Sequence, residues 1–298
     1  MHSSLPSLTN HAKRQPRSVF SRLVTVRRLS IALVILLLLI LLRLKGNGTS
    51  NHEPSIVIIS TWDGDFSSIM KAQMEQNRQE YADLHGYKLV SKELSGTDPV
   101  AKSWSKVPII RNTMAEHPHA EWFFYLDPTA IIMNPLKSLE EMLIHPVNQI
   151  KLKDVSIVPP NGLIRTLKDE SSQIYLIISS NEQGIYPGEL LLRQGEYAKA
   201  LLDTWNNVLY RQYNWERAEQ SALEHLFQWH QVFLKRLAIV PTRTMSSFPQ
   251  AANAELEGYS DGDFIVNIDG CKSIERSCEK EFNKYYISRW RIPDTQET

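Results

Sequence analysis

The strongest pattern along the chain is a stretch that is apolar at nearly every position. From Leu29 to Leu42 only Ser30 is polar. Extending the run back to Val24 or on to Leu44 reaches the roughly 17 to 25 residues that cross a bilayer, provided the flanking arginines snorkel. Six Lys or Arg precede the run and two follow it, which predicts a cytoplasmic N-terminus and a lumenal body. No small-x-small cleavage site follows, so the run reads as a retained signal anchor, not a cleaved signal peptide. The expected organisation is a basic cytoplasmic tail over 1–28, a membrane anchor over 29–44, a stalk over 45–54 and one lumenal domain over 55–298. A span this short suits the thinner membranes early in the secretory pathway.

Beyond the stalk the pattern changes to alternating short apolar runs and amphipathic stretches. "SIVIIST" has strand length and β-branched content, with "WDGD" as the loop at its carboxyl end. "FSSIMKAQMEQNRQEYADLHGY" carries apolar residues near helical spacing, and "YKLV" begins a second strand. That succession opens a parallel α/β sheet. "SWSKVPIIRNTMAEHP" predicts a helix ending near Pro118, followed by the strand "EWFFYLD", which is apolar on both faces and so belongs inside a covered sheet. "VSIVPP", "GELLLR", "LAIVP" and "GDFIVNIDG" read as further strands, and "GEYAKALLDTWNNVLY" and "ERAEQSALEHLFQWHQ" as helices. Asp127 falls at a strand's carboxyl end, where ligands gather in α/β sheets.

Charge sharpens the division. The formal net charge is zero, yet residues 1–45 hold 8 of the 33 basic residues and no acid, leaving the remainder at a formal charge of about −8. An acidic body excludes the phosphate-neutralising surface that a nucleic-acid partner needs. There is no Gly-rich phosphate loop and no GxSxG, which argues against P-loop and α/β-hydrolase chemistry. Cys271 and Cys278 are the only cysteines, and in an oxidising lumen they read as a local disulfide, with metal binding as the weaker alternative. Asn47 in "NGT" matches a glycosylation acceptor but lies very near the anchor.

The pieces "NRQEYADLHGY", "SWSKVPIIRNTM", "EWFFYLDPTAIIMNP", "GELLLRQGEYAKALLDTW", "EQSALEHL", "AIVPTRTMSSFP" and "GDFIVNIDGC", in this order from about Ser55 to Tyr286, resemble glycosyltransferase family 34. These are the fungal Golgi galactosyl- and mannosyltransferases and their plant xylosyltransferase relatives. The C-terminal part is most similar to α-1,6-mannosyltransferase subunits of the yeast mannan polymerase complex. The resemblance implies a GT-A-like fold, a Rossmann-like mixed sheet flanked by helices. It also implies a nucleotide-sugar donor (GDP-mannose or UDP-galactose), Mn²⁺, retention of configuration, a glycan or glycoprotein acceptor and assembly with paralogous subunits in the Golgi membrane.

Carried over residue by residue, the resemblance assigns Asp127, Glu219 and Gln220 to catalysis. Asp63, Asp65, Lys106, Arg111, Asp127 and Thr129 fall to the donor, and Tyr186 and Gly188 to the acceptor. Asp127, Thr129 and Asn267 stand at the metal positions, and there the pattern departs. "LDPTAIIMNP" has Thr129 in place of the second acid of an Asp-x-Asp, "NIDGC" has Asn267 in place of the metal-binding His, and "GIYPGEL" has Tyr186 in place of an Asn. Neutral Thr and Asn oxygens recover only part of the cation affinity of a carboxylate and an imidazole. Asp63, Asp65 and Asp269 are candidate substitutes, with the role of turn residues as the favoured alternative for Asp65 and Asp269. His225 and His230, on a predicted helix, read as packing or surface residues, and Trp205, Trp215 and Trp229 as core or sugar-stacking residues.

Overall fold

A computed structural model describes residues 54–159, 162–167, 173–249 and 254–292. The basic tail, the apolar segment 29–44 and Asn47 lie outside these residues, and no helix among the described residues is long and apolar enough to cross a membrane.

The strands are β1 (Ile56–Trp62), β2 (Lys88–Glu93), β3 (Trp122–Leu126), β4 (Ala130–Ile132), β5 (Leu176–Asn181), β6 (Gly184–Arg193), β7 (Leu237–Val240) and β8 (Ile265–Asn267). Six form one sheet in the order β2-β1-β3-β6-β5-β7, and β4 pairs with β8 in a small second sheet. Within the large sheet β6 runs antiparallel to both β3 and β5, while its other pairs are parallel; β4 and β8 are antiparallel. The sheet is therefore mixed, as the resemblance implied.

Helices cover both faces because side chains alternate along each strand. Val57, Ile59, Phe123 and Tyr125 face a layer that includes Val107, Ile110 and Met114 of α3 (Lys106–Glu116) and Leu201, Leu202 and Trp205 of α4 (Glu196–Trp205). α2 (Pro99–Trp104) precedes α3, and Leu223 and Phe227 of α5 (Ala218–Trp229) join the same layer. On the opposite face Ile56, Ile58, Phe124 and Leu126 meet Tyr81 and Ala82 of α1 (Ser68–His85) and Phe264. All five residues of β3 are buried, and each large apolar side chain so buried contributes about 1.5 to 3 kcal/mol. α1 starts where the Ser67 side chain accepts from Met70 N–H and stops at Gly86, whose φ of 71° suits glycine. A last helix, α6 (Cys278–Ser288), packs Phe282 and Tyr285 beside Met70 and Met74.

Two expectations are corrected. "VSIVPP" is no strand, since Ser156 makes a single bridge to Arg165, and consecutive prolines deny the segment ladder donors. β5, an apolar run not anticipated as a strand, fills that place beside β6. The long helix expected over "GEYAKALLDTWNNVLY" ends at Trp205, and Asn207 caps a separate short helix, Val208–Gln212.

One buried cation ties the strand ends together. Arg78 of α1 is fully buried and donates to the carbonyls of Thr61 (2.9 Å), Asp127 (2.5 Å) and Ala130 (3.2 Å) and to the Ser60 hydroxyl. Burial pulls its pKa down to about 10, with nearby Tyr125 and Asp127 opposing, so it stays charged. Its planar fork reaches carbonyls at the ends of β1 and β3 at once, which the single point charge of a lysine cannot do. Arg78→Lys and Arg78→Met are both expected to lower unfolding free energy by about 3 to 5 kcal/mol, because buried carbonyls lose their donors. Urea unfolding followed by tryptophan fluorescence checks this.

Candidate active site

A cavity of about 390 Å³ opens at the carboxyl ends of β1 and β3, beside the start of β6. Asp63, Asp65, Lys102, Lys106, Asp127 and Glu219 are among its lining residues. This is where a doubly wound sheet gathers a ligand.

Lys106, at the α2–α3 junction, is the buried centre. Its Nζ lies 3.2 Å from Asp127 Oδ2 and 3.1 Å from Glu219 Oε1, and its side chain is 5% exposed. Burial alone would lower its pKa, but Asp127 and Glu219 outweigh that and hold it well above the ordinary lysine value. The other oxygen of Asp127, Oδ1, accepts from the Tyr125 hydroxyl. Burial raises the Asp127 pKa, while Lys106 and Tyr125 pull against the rise. Asp127 N–H donates to the Gly188 carbonyl at 2.9 Å, which joins the turn after β3 to β6. Glu219 enters the cavity because Ala218, just before it, adopts a φ of 44°, a left-handed conformation that an L-residue takes only under constraint. Trp205 Nε1 donates to the Glu219 carbonyl at 2.8 Å and fixes that end of α5 from the core.

At the mouth, Asp63 and Asp65 are held by two ammonium groups. Lys102 Nζ lies 2.8 Å from Asp63 and 2.6 Å from Asp65. Lys272 Nζ lies 2.5 Å from Asp63 and 3.5 Å from Asp65. Burial opposes the charge of Asp63, but hydrogen bonds from Lys102 and Lys272 bring its pKa down to about 2. Lys102 and Lys272 were not anticipated. The signal for Lys272 was its position next to Cys271, which bonds to Cys278.

The residues at the metal positions do not suit Mn²⁺. Asn267 is completely buried, and both ends of its amide are in use. Nδ2 donates to Glu189 Oε1 at 2.6 Å, and Oδ1 accepts from Asp269 N–H at 2.9 Å. Thr129 lines the cavity as a neutral group, and Asp127 already has Tyr125 and Lys106 on its two oxygens. A dication about 4 Å from the Lys106 ammonium would meet roughly 8 kcal/mol of repulsion at an effective dielectric near 20. Among the described residues no group of three or more His, Cys, Asp or Glu is arranged to hold a metal ion. Asp269 lines the cavity, with one carboxylate oxygen accepting from Gly270 N–H.

The structure thus brings Asp63, Asp65, Lys106, Asp127, Thr129, Tyr186, Gly188, Glu219 and Gln220 to one cavity. It does not bring Arg111, which pairs with Asp203 at 2.9 Å across the α3–α4 surface. Five residues beyond Lys106, Arg111 projects from another side of the helix. Tyr186 and Gln220 also line a second cavity of about 250 Å³. Tyr186 is largely buried, packs edge-on against Phe248 with centroids 5.0 Å apart, and lies so close to Gly188 that a Cβ there would overlap its ring. Trp205 is core, Trp215 donates to the Tyr210 carbonyl, and Trp229 is exposed. His225 packs at tilted angles among Trp215, Tyr210 and Trp229, away from the cavity lining.

A mixed sheet with one antiparallel strand, an acid at the end of its central parallel strand and a cavity over that acid define a GT-A-like glycosyltransferase domain. In overall fold the chain is similar to the crystal structure of a glycosyltransferase involved in the glycosylation of the major capsid of PBCV-1. The TM-score is 0.54 at 16% identity, covering 78% of this chain and all of that one. The sequence profile of the galactosyl transferase GMA12/MNN10 family matches residues 52–279; the chain belongs to this glycosyltransferase family. It is 34% identical over 256 residues to an uncharacterized alpha-1,2-galactosyltransferase of Schizosaccharomyces pombe, covering 81% of this chain and 77% of that protein. It is 33% identical over 260 residues to the probable alpha-1,6-mannosyltransferase MNN10 of Saccharomyces cerevisiae, covering 79% of this chain and 66% of that protein.

Glu189 supplies a pH test of the floor. Burial, reinforced by the charge of Asp127, pushes its carboxyl up to about 8, with Asn267 opposing. The folded state therefore holds this proton more tightly than the unfolded chain, whose glutamate titrates near 4.5. The stability it contributes is complete below about pH 4.5 and is lost as pH rises through about 8, on the order of 3 to 5 kcal/mol. Glu189→Gln, which keeps an acceptor for Asn267, is expected to flatten that slope in urea unfolding between pH 5 and 8.5.

Proposed function

We propose that this chain is a single-pass type II Golgi membrane enzyme. It transfers a hexose, in the leading reading mannose from GDP-mannose, to a protein-linked glycan with retention of configuration. It does so beside paralogous glycosyltransferase subunits. The family membership supports hexosyl transfer, and relatives named for both galactosyl and mannosyl transfer leave UDP-galactose as the other donor. The apolar segment 29–44 and the charge asymmetry around it support the anchor and its orientation.

The observation that carries the reading is the cavity at the ends of β1 and β3, where Asp127, Lys106, Glu219 and Gln220 meet. Among the described residues lining the cavity no pair is set up as nucleophile and base, which suits front-face transfer. The acceptor oxygen bonds to the anomeric carbon as the carbon–oxygen bond to the diphosphate breaks, and the acceptor proton leaves on the departing phosphate. The chain's part is to bind and orient. Lys106 bridges Asp127 and Glu219 and fixes their positions, Asp127 and Gln220 present polar groups to sugar hydroxyls, and Tyr186 borders both cavities.

A second reading, a non-catalytic subunit that binds acceptor, is favoured by one observation. Asn267, at the metal position, is absent from the lining of the main cavity and borders the second, with its amide taken by Glu189 and the Asp269 N–H. Purified full chain incubated with labelled GDP-mannose or UDP-galactose and an oligomannose acceptor distinguishes the two. Transfer that falls about a hundredfold or more in Asp127→Asn supports the enzyme reading, on the scale of losing one transition-state contact. No transfer from either donor, together with full complementation of a deletion strain by Asp127→Asn, supports the second.

A further inference from the structure

Lys102 and Lys272 reach the cavity mouth from unrelated parts of the chain, α2 and the loop after β8, yet converge on the same two carboxylates. Those carboxylates are unequal. Asp63 is buried, with a side chain 8% exposed, and touches both ammonium groups from below. Asp65 sits on the solvent side with a side chain 68% exposed, 2.6 Å from Lys102 and 3.5 Å from Lys272. Exposed ion pairs of this kind are weak and readily exchanged, because water and salt screen them and the side chains regain entropy on release. With Asp65 swung outward, one buried carboxylate faces two ammonium groups, and this wall of the cavity is left with a net positive charge. Of the other acids on the lining, Asp127 and Glu219 share Lys106, Asp98 caps α2 through Ala101 N–H, and Asp269 accepts from Gly270 N–H.

We propose that Lys102 and Lys272 form a clamp for the diphosphate of a nucleotide sugar. Asp65 is the counter-ion that holds the clamp until the phosphates displace it, and the clamp takes up phosphate charge without a divalent cation. This deepens the nucleotide-sugar reading above and rests on it. The chemistry matches, since two convergent ammonium groups offer charge-assisted hydrogen bonds to several phosphate oxygens at once. The residues at the metal positions provide no equivalent.

The test is nucleotide binding by purified full chain in detergent. GDP and UDP are titrated by calorimetry, once with EDTA and once with MnCl₂. At least one nucleotide is expected to bind with a dissociation constant that agrees within about threefold between the two conditions. Lys102→Gln and Lys272→Gln are each expected to weaken it about tenfold or more, the scale of a lost charge-assisted contact. Asp65→Asn is expected to tighten it several-fold, because the competing carboxylate is gone. Thermal melts of each variant, and recovery of binding in Lys102→Arg, separate a lost contact from a lost fold. Binding that appears only with MnCl₂, or an Asp65→Asn protein that binds no tighter, overturns the clamp while leaving the nucleotide-sugar reading standing. Failure of both nucleotides to bind under either condition overturns both.

Discussion

A single guanidinium holds this site in place. Backbone carbonyls at the ends of parallel strands have no ladder partner, and a buried carbonyl without a donor is costly. Arg78 supplies donors to such carbonyls on β1, on the turn after β3 and at the start of β4. Because it donates to the carbonyl of Asp127 itself, the position of that carboxylate depends on α1, a helix that contributes no residue to the cavity lining. Catalytic geometry and core packing are here the same set of bonds.

From that anchor the charges fall into two layers. Below, Lys106 is shared by Asp127 and Glu219 in a nearly dry setting, where removing the lysine would leave two buried carboxyl groups without their common partner. Above, Lys102 and Lys272 hold Asp63 and Asp65 at the mouth, half in water. The lower layer is rigid and fixes orientation, while the upper is exchangeable and suited to a ligand that comes and goes. The two layers are divided between a buried lysine and two nearer the solvent, which net charge alone would not reveal.

Much of this was legible in the sequence. "EWFFYLD" declared itself because a strand apolar on both faces has no place except inside a covered sheet, and Asp127 at its end marked the cavity. "VSIVPP" misled because a short apolar run has no period of its own, and its prolines outweighed its valine and isoleucine. The direction of β6 depends on pairing with strands far away in sequence, so its local pattern carries no sign of it. Lys106 and Glu219 were found through their motifs, but Lys102 and Lys272 were not, since ordinary lysines become a pair only through the fold. Arg111 was misplaced for want of a helical phase, which the break at Ser105 obscured.

The contact between Asn267 and Glu189 bears on how such a site changes over generations. Asn267 Nδ2 donates to one oxygen of Glu189 where neither side chain meets water. Replacing Asn267 alone would leave the Glu189 carboxyl group enclosed without its donor, and replacing Glu189 by a side chain with no acceptor would strand the amide. The two positions are thus coupled, and a change that removes one half of the bond is destabilising unless the other half changes with it. Substitution is therefore costlier at this buried pair than at the mouth, where Asp65 and Lys272 are in water.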